Sequence, residues 1–436
     1  MTVKEALSGA ITSWLTSHTR RDMRRALAAM PRRMGGRMSE IHYFHQPDDP
    51  YSHLCLQALD ALAQRTIPAL SIHIVPPPDD AAAPERARLA AWSIRDAGTL
   101  ARRLGLSWSE NVAQPEPALV ALAGAALVAA AKQDGFPVAA LTISEALWRG
   151  DRKALEAMPA ADAAETDAAL TAAAKLRTET GHYLGGTFYF EKEWYWGLDR
   201  LHHLETRLRA AGLMKPGTPD PALAPVRDVE LKAVPSNGKA PTLDYFFSFR
   251  SPYTWIATPR VRQLARHYGA ELRLRFILPM VMRGLPVPPP KSRYIMFDTK
   301  READRVGLPF GRIVDPRGPA TERGIAVLAK AIPLGRGEDF AESFLRAVWS
   351  EGVDGATDAG LHKIAARAGL DGPFVEDALK DESWRPVAEA NRQALFAHGL
   401  WGAPTLSVNG GPAHWGQDRL WAVENDLIAA TDARLP

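Results

Sequence analysis

Ser251 and Pro252 are the residues of this 436-residue chain best placed to do chemistry. Serine is a good helix N-cap. Proline suits the first helical position, where its missing N–H would be unpaired anyway. A helix start offers unsatisfied N–H groups and a positive partial charge, so an anion beside Ser251 is stabilised and the hydroxyl can donate to it. A plain helix cap reads the same way, and Asp49-Pro50 in the first half has the same form. Ala403-Pro404 is the second candidate. Read as a cis peptide, it leaves the Ala403 N–H and C=O to pair with an extended peptide, as an added strand does. Read as trans, it is an ordinary proline opening a strand. Gln417 and Asp418 open the last helix, where an acid is stabilising by itself.

The elements that must position these residues are legible. Residues 242–249 form an apolar, aromatic run of strand length, and a helix runs from Ser251-Pro252 to about Tyr268, ending at Gly269. Pro259 lies inside it and is expected to kink it. Residues 272–278 alternate as a second strand, a Pro-rich stretch follows over 279–290, and helical periodicity covers about 291–396. Residues 405–408 read as a strand, Asn409-Gly410-Gly411 as a hairpin turn, and 417–430 as a last helix. The order is β-α-β, helical insert, β-β-α.

The same order recurs upstream, with strands near 40–45, 70–75 and 187–191, helices near 50–66 and 197–211, and an Ala/Leu-rich insert over 82–180. Residues 41–51 align without a gap on 243–253, and Trp196-Gly-Leu-Asp-Arg-Leu201 matches Trp415-Gly-Gln-Asp-Arg-Leu420. Self-similarity of this kind predicts two tandem domains. The expected division is a basic extension over 1–37, a first domain over 38–212, a linker over 213–241 carrying six prolines, and a second domain over 242–436.

Bulk composition excludes several classes. Hydrophobic residues make up 46% and charged residues 24%, ordinary values for a soluble globular chain. A net charge of +3 gives no whole-protein field for nucleic acid or membrane, and no apolar run is long enough to span one. One cysteine, Cys55, rules out an intramolecular disulfide and suits a reducing, cytoplasmic setting. Eight Lys and Arg fall within residues 1–37, which read either as a solvated extension or as a basic helix that docks on an anionic partner.

Phe247-Ser-Phe-Arg-Ser-Pro-Tyr253, Gly402-Ala-Pro-Thr405 and Trp415-Gly-Gln-Asp-Arg419, with Lys291-Ser-Arg-Tyr294 between them, resemble the DsbA-like thioredoxin-fold group. Within it, the resemblance is to the branch of kappa-class glutathione transferases and 2-hydroxychromene-2-carboxylate isomerases. It implies an α/β fold of two thioredoxin-like domains, glutathione as cofactor, and a small organic substrate. By the same resemblance, Ser251 meets the glutathione sulfur, and Ala403 and a cis Pro404 pair with the tripeptide backbone. Gln417 and Asp418 hold the γ-glutamyl end, and Lys291 holds the glycyl carboxylate. The implied activity is a glutathione-dependent isomerase acting on a conjugated or aromatic compound. A kappa-type transferase and a non-catalytic thioredoxin-like scaffold are the alternatives, with homodimerisation open. Redox relatives carry Cys-x-x-Cys where this chain has Ser251-Pro-Tyr-Thr254, so thiol–disulfide exchange at this position is excluded. Arg250 adds a nearby cation, and Phe249, Trp255, Tyr294 and Trp415 are candidate pocket aromatics.

The first half departs at each diagnostic position. Asp49 replaces the serine, and a carboxylate repels a thiolate. Gly186 stands where the proline belongs. Cys55 reads as a small buried hydrophobe. His42, His45, His53 and His73 look like a metal cluster, but His42 and His53 lack supporting ligand spacing, so satisfied or exposed histidines and no metal are expected.

Overall fold

The computed structural model describes residues 3–36, 38–109, 112–220, 222–226 and 228–433. Arg37 of the basic segment and Pro221 and Arg227 of the expected linker lie outside the described residues. The chain forms two compact units: a first over 22–226 and 288–294, and a second over 1–21, 227–287 and 295–436.

Two helices lead the chain, α1 (Val3–Thr16) and α2 (His18–Gly35). The first unit continues with β1 (Ile41–His45), α3 (Pro50–Arg65) and β2 (Leu70–Ile74). Its insert comprises α4 (Arg86–Leu104), α5 (Pro117–Ala130), α6 (Phe136–Trp148), α7 (Arg152–Glu156) and α8 (Ala163–Thr180), and the chain returns through β3 (Thr187–Phe190), β4 (Glu193–Trp196) and α9 (Leu201–Ala210). In the second unit follow β5 (Thr242–Phe247), α10 (Pro252–His267), β6 (Glu271–Phe276) and α11 (Pro289–Arg305), whose first turn is counted with the first unit. The insert goes on through α12 (Pro319–Ala331), α13 (Gly337–Arg346), α14 (Asp358–Ala366), α15 (Gly372–Ala378) and α16 (Trp384–Ala397). The chain ends with β7 (Thr405–Val408), β8 (Ala413–Trp415) and α17 (Leu420–Thr431).

The two sheets have one topology, β2-β1-β3-β4 and β6-β5-β7-β8. In each, the first strand pairs in parallel with the second and antiparallel with the third, and the last two form a hairpin. A parallel pair needs a long crossover, and α3 and α10 supply it. The hairpin between β7 and β8 turns at Asn409 and Gly410 with φ of 51° and 70°, the left-handed pair that a two-residue turn demands.

Individual hydrogen bonds are duplicated as well. Tyr43 Oη donates to the Ser52 carbonyl at 3.0 Å, and Tyr245 Oη to the Thr254 carbonyl at 3.2 Å. Gly197 N donates to Gly186 O at 2.8 Å, and Gly416 N to Pro404 O at 2.9 Å, which sets Gly186 in register with Pro404. Tyr51 Oη donates to Asp96 and Tyr253 Oη to Asp298, each at 2.7 Å and each across 45 residues. That last pair equates α4 with α11.

Three sequence expectations change. Strand β5 stops at Phe247, and Phe249 is buried in the core with its carbonyl accepting from Trp349 Nε1. The leading segment is docked: Ile313 N donates to Thr12 Oγ1 in the second unit, and Arg25 and Arg32 pair with Glu193 and Glu191 in the first. Residues 213–241 are no free tether. Lys215 N donates to Arg65 O, and Leu223 N to the Glu205 carboxylate. Farther on, the buried Glu424 carboxylate of α17 accepts from the backbone N–H groups of Glu230, Leu231 and Lys232. N–H groups in an irregular run need acceptors, and a carboxylate on a neighbouring helix provides them.

Candidate functional site in the second unit

The sequence Phe249-Arg-Ser-Pro makes the end of β5 a sharp entry into α10. Ser251 has extended backbone (φ −95°, ψ 113°), and its Oγ accepts from Thr254 N at 3.3 Å, so it caps the helix. The same oxygen donates to the carbonyl of Ala403 at 3.0 Å. The hydroxyl therefore stands where the helix start meets the loop before β7, and it remains partly exposed. The Ala403–Pro404 peptide is cis. Gly402 packs against the Trp415 indole: a Cβ built there would come within 2.1 Å of Trp415 Cζ2. Trp415 in turn meets Trp401 edge-on, centroids 4.9 Å apart. Trp401 is buried, and Trp415 covers the Gly402 backbone just before Ala403.

At the start of the last helical segment, Gln417 is buried and its side chain is fully engaged. Arg260 Nη1 donates to Gln417 Oε1 and Arg260 Nη2 to the Gln417 carbonyl, both at 2.9 Å. Gln417 Nε2 donates to Glu302 at 3.1 Å and to the Asp418 carboxylate. Glu302 is held by Arg305, which also grips Asp228. Burial lowers the Arg260 pKa, with Arg305 adding to it, yet the group keeps carbonyl oxygens at two of its N–H groups. This network fixes the 416–418 turn and leaves Asp418 partly exposed. What the Gln417 side chain does is therefore structural.

Lys291 is placed elsewhere. It belongs to the first unit, where Nζ donates to Ala82 O at 2.9 Å and faces the Tyr183 ring at 5.9 Å. Burial pushes its pKa down to about 8. Tyr294 likewise packs with Phe44 and Trp194 in the core of the first unit. Phe249 and Trp255 are core, and Trp415 packs against Gly402 in the loop before β7. Arg250 points along a bidentate pair to Asp315, at 2.7 and 2.8 Å.

A profile of the DSBA-like thioredoxin domain matches residues 242–427. Residues 242–427 are a DSBA-like thioredoxin domain. Similar full-length relatives are 2-hydroxychromene-2-carboxylate isomerases. That of Sphingobium xenophagum is 28% identical over 200 residues, covering 43% of this chain and 98% of the relative. That of Pseudomonas sp. (strain C18) is 24% identical over 196 residues, covering 43% and 91%. Among solved structures, the chain is similar to the cytosolic disulfide reductase DsbM from Pseudomonas aeruginosa with GSH, at 22% identity and TM-score 0.34, covering 43% of this chain and 96% of that one.

The position equivalent to Ser251 in the first unit is closed. Asp49 caps α3 with the same backbone (φ −100°, ψ 118°) and accepts from Ser52 N at 2.9 Å and Ser52 Oγ at 2.7 Å. Gly186 (φ +60°) lies against this carboxylate, and a Cβ there would meet Asp49 Oδ2 at 3.1 Å. Burial raises the Asp49 pKa to about 6 against the Ser52 hydrogen bonds, which lower it. The four histidines enter three separate contacts: His42 Nδ1 lies 2.9 Å from His73 Nε2, His45 Nδ1 3.1 Å from Tyr43 Oη, and His53 Nδ1 2.9 Å from Ser144 Oγ.

Sequence reading missed Arg260 and Glu302. The Tyr–Asp pairs were detectable, because both halves keep a tyrosine and an aspartate 45 residues apart.

Proposed function

We propose that the DSBA-like domain binds glutathione with its sulfur at Ser251 and uses it to isomerise a small conjugated or aromatic compound. The observation that carries this reading is the Ser251 hydroxyl, capping α10 and 3.0 Å from the Ala403 carbonyl at the entry to β7. The donor set fits the group. A hydroxyl that rotates away from Ala403 O can donate to a sulfur anion, and the N-terminal N–H groups of α10 add a positive partial charge. Such a site holds a thiol deprotonated at neutral pH, where a free thiol is mostly protonated. Ala403 offers backbone to an extended peptide, and the 416–418 turn with Asp418 offers N–H groups and a carboxylate to an amino-acid end. Lys291 has no part in this reading, its ammonium being engaged in the first unit.

When bound as thiolate, glutathione supplies a nucleophile that adds to a conjugated carbonyl compound and leaves again once the former double bond has rotated. The chain's own contribution is to orient the sulfur and lower its proton affinity. Homology to the isomerases supports this choice of reaction class by analogy alone.

The test is a turnover assay with glutathione and a conjugated arylidene carbonyl substrate. Geometric isomerisation with glutathione fully recovered supports the proposal. Glutathione consumed in step with product replaces it with the transferase reading. No glutathione-dependent change across a panel of such substrates leaves the scaffold.

A further inference from the structure

The loop before β7 is held by its carbonyls, and each of four in a row has its own donor. Arg283 Nη2 donates to Trp401 O at 2.8 Å, and Thr405 Oγ1 to Gly402 O at 3.0 Å. Ser251 Oγ donates to Ala403 O at 3.0 Å, and Gly416 N to Pro404 O at 2.9 Å. Trp401, Gly402, Pro404 and Thr405 are buried, whereas Ala403 is partly exposed, as Ser251 is. Ala403 is therefore the residue of this run that faces a ligand, and its carbonyl is the one that Ser251 occupies. A hydroxyl carries a single hydrogen, and here that hydrogen is committed. The Ser251 oxygen also accepts from Thr254 N at 3.3 Å, which ties it to the helix start and leaves the hydrogen to turn about the Cβ–Oγ bond.

We infer that the Ser251 hydroxyl is a two-position latch that selects a peptide carrying a thiolate, an inference that rests on the reading of glutathione at Ser251 given above. In the empty site the hydrogen closes the Ala403 carbonyl. A thiolate at the start of α10 takes that hydrogen, and the released carbonyl accepts an N–H of the same ligand's backbone. Each contact is a condition of the other, so the two act cooperatively. A peptide without the sulfur gains one side only. If the hydroxyl stays, Ala403 O is taken; if it turns, its hydrogen has no acceptor on the ligand. Exchanging one neutral hydrogen bond for another yields little net stabilisation. A bond to an anion is roughly twice as strong, so the exchange favours the thiolate. Arg283, Thr405 and Gly416 keep their carbonyls throughout, and the loop holds its shape while one carbonyl changes partner.

The experiment titrates the full chain calorimetrically with glutathione and with γ-glutamyl-alanyl-glycine, in which a hydrogen replaces the thiol. Removing the hydroxyl opens the Ala403 carbonyl permanently and withdraws the donor from the sulfur. S251A should therefore bind the thiol-free peptide roughly fivefold more tightly than wild type does, and glutathione roughly tenfold more weakly. S251G, which keeps a tolerated cap residue, should show the same crossover. Tighter binding of one peptide also shows that the variants are folded. If wild type binds glutathione and neither variant binds the thiol-free peptide more tightly than wild type does, the latch is overturned and the glutathione reading stands. If wild type binds neither peptide, both are overturned.

Discussion

At the residue scale, Gly402 and Arg260 decide whether the Ser251 site is held in shape. A side chain at 402 has no space beneath the Trp415 indole. G402A is therefore expected to cost about 1–3 kcal/mol, by displacing the ring or the loop. Intrinsic Trp fluorescence with a denaturant titration reads both effects. Arg260 acts through Gln417 and does not face the sulfur position. R260Q should weaken glutathione binding roughly tenfold, about 1.4 kcal/mol, through the 416–418 turn while leaving the bound thiol pKa unchanged. A shift in that pKa would place Arg260 among the groups acting on the sulfur instead. Ser251 and Pro404 were readable because capping and X-Pro chemistry are written in adjacent residues. Arg260 was not, since its partner lies 157 residues away, and Glu302 bonds Gln417 across 115. No local pattern encodes such a pairing.

At the element scale, the start of α3 shows what becomes of the same helix entry when a carboxylate replaces the hydroxyl. Burial holds the Asp49 pKa near 6, above its ordinary 3.8. A raised acid contributes stability below its unfolded pKa and loses it as pH rises through the folded one. D49N should thus gain on wild type between pH 4 and pH 7 by up to ~3 kcal/mol, less where water reaches the carboxylate. Chemical denaturation at the two pH values measures it, and a pH-independent difference would show that the carboxylate stays well solvated. Strands and hairpins were legible from alternation and from Asn-Gly. The docking of residues 230–232 was not, because their N–H groups are satisfied by Glu424, far along the chain. The bond from Lys291 to Ala82 was not legible either: a Pro-rich stretch gives no register, and the first turn of α11 belongs with the first unit.

At the scale of the whole molecule, two compact units with separate sheets should melt in two calorimetric transitions. The first unit carries an acid liability. Burial pushes the pKa of His45 down to about 3, His53 to about 4 and His73 to about 4. Depressed bases contribute stability above their unfolded value and lose it as pH falls toward the folded one. His45 is fully buried with Nε2 lacking a hydrogen-bond partner, and Phe247 occupies the equivalent strand position in the second unit. H45F should therefore raise one transition and leave the other alone. The gain should be larger near pH 5 than at pH 8 by about 2 kcal/mol, or roughly 4–8 °C. Equal gains at both pH values would mean that His45 protonates freely in the folded unit. No helix among the described residues is long and apolar enough to cross a membrane. The duplicated architecture was legible in full outline, since repeated motifs in one order imply repeated topology.

The central claim, that Ser251 holds a thiolate, is tested most directly by calorimetric titration of the full chain with glutathione, followed by the pH dependence of the bound thiol's ultraviolet absorbance. Wild type is predicted to bind, with the thiol ionised well below its free value near 8.5. S251A is predicted to bind more weakly, with that depression largely lost. Absence of binding by wild type at millimolar glutathione, or a bound thiol pKa indifferent to S251A, would contradict the account.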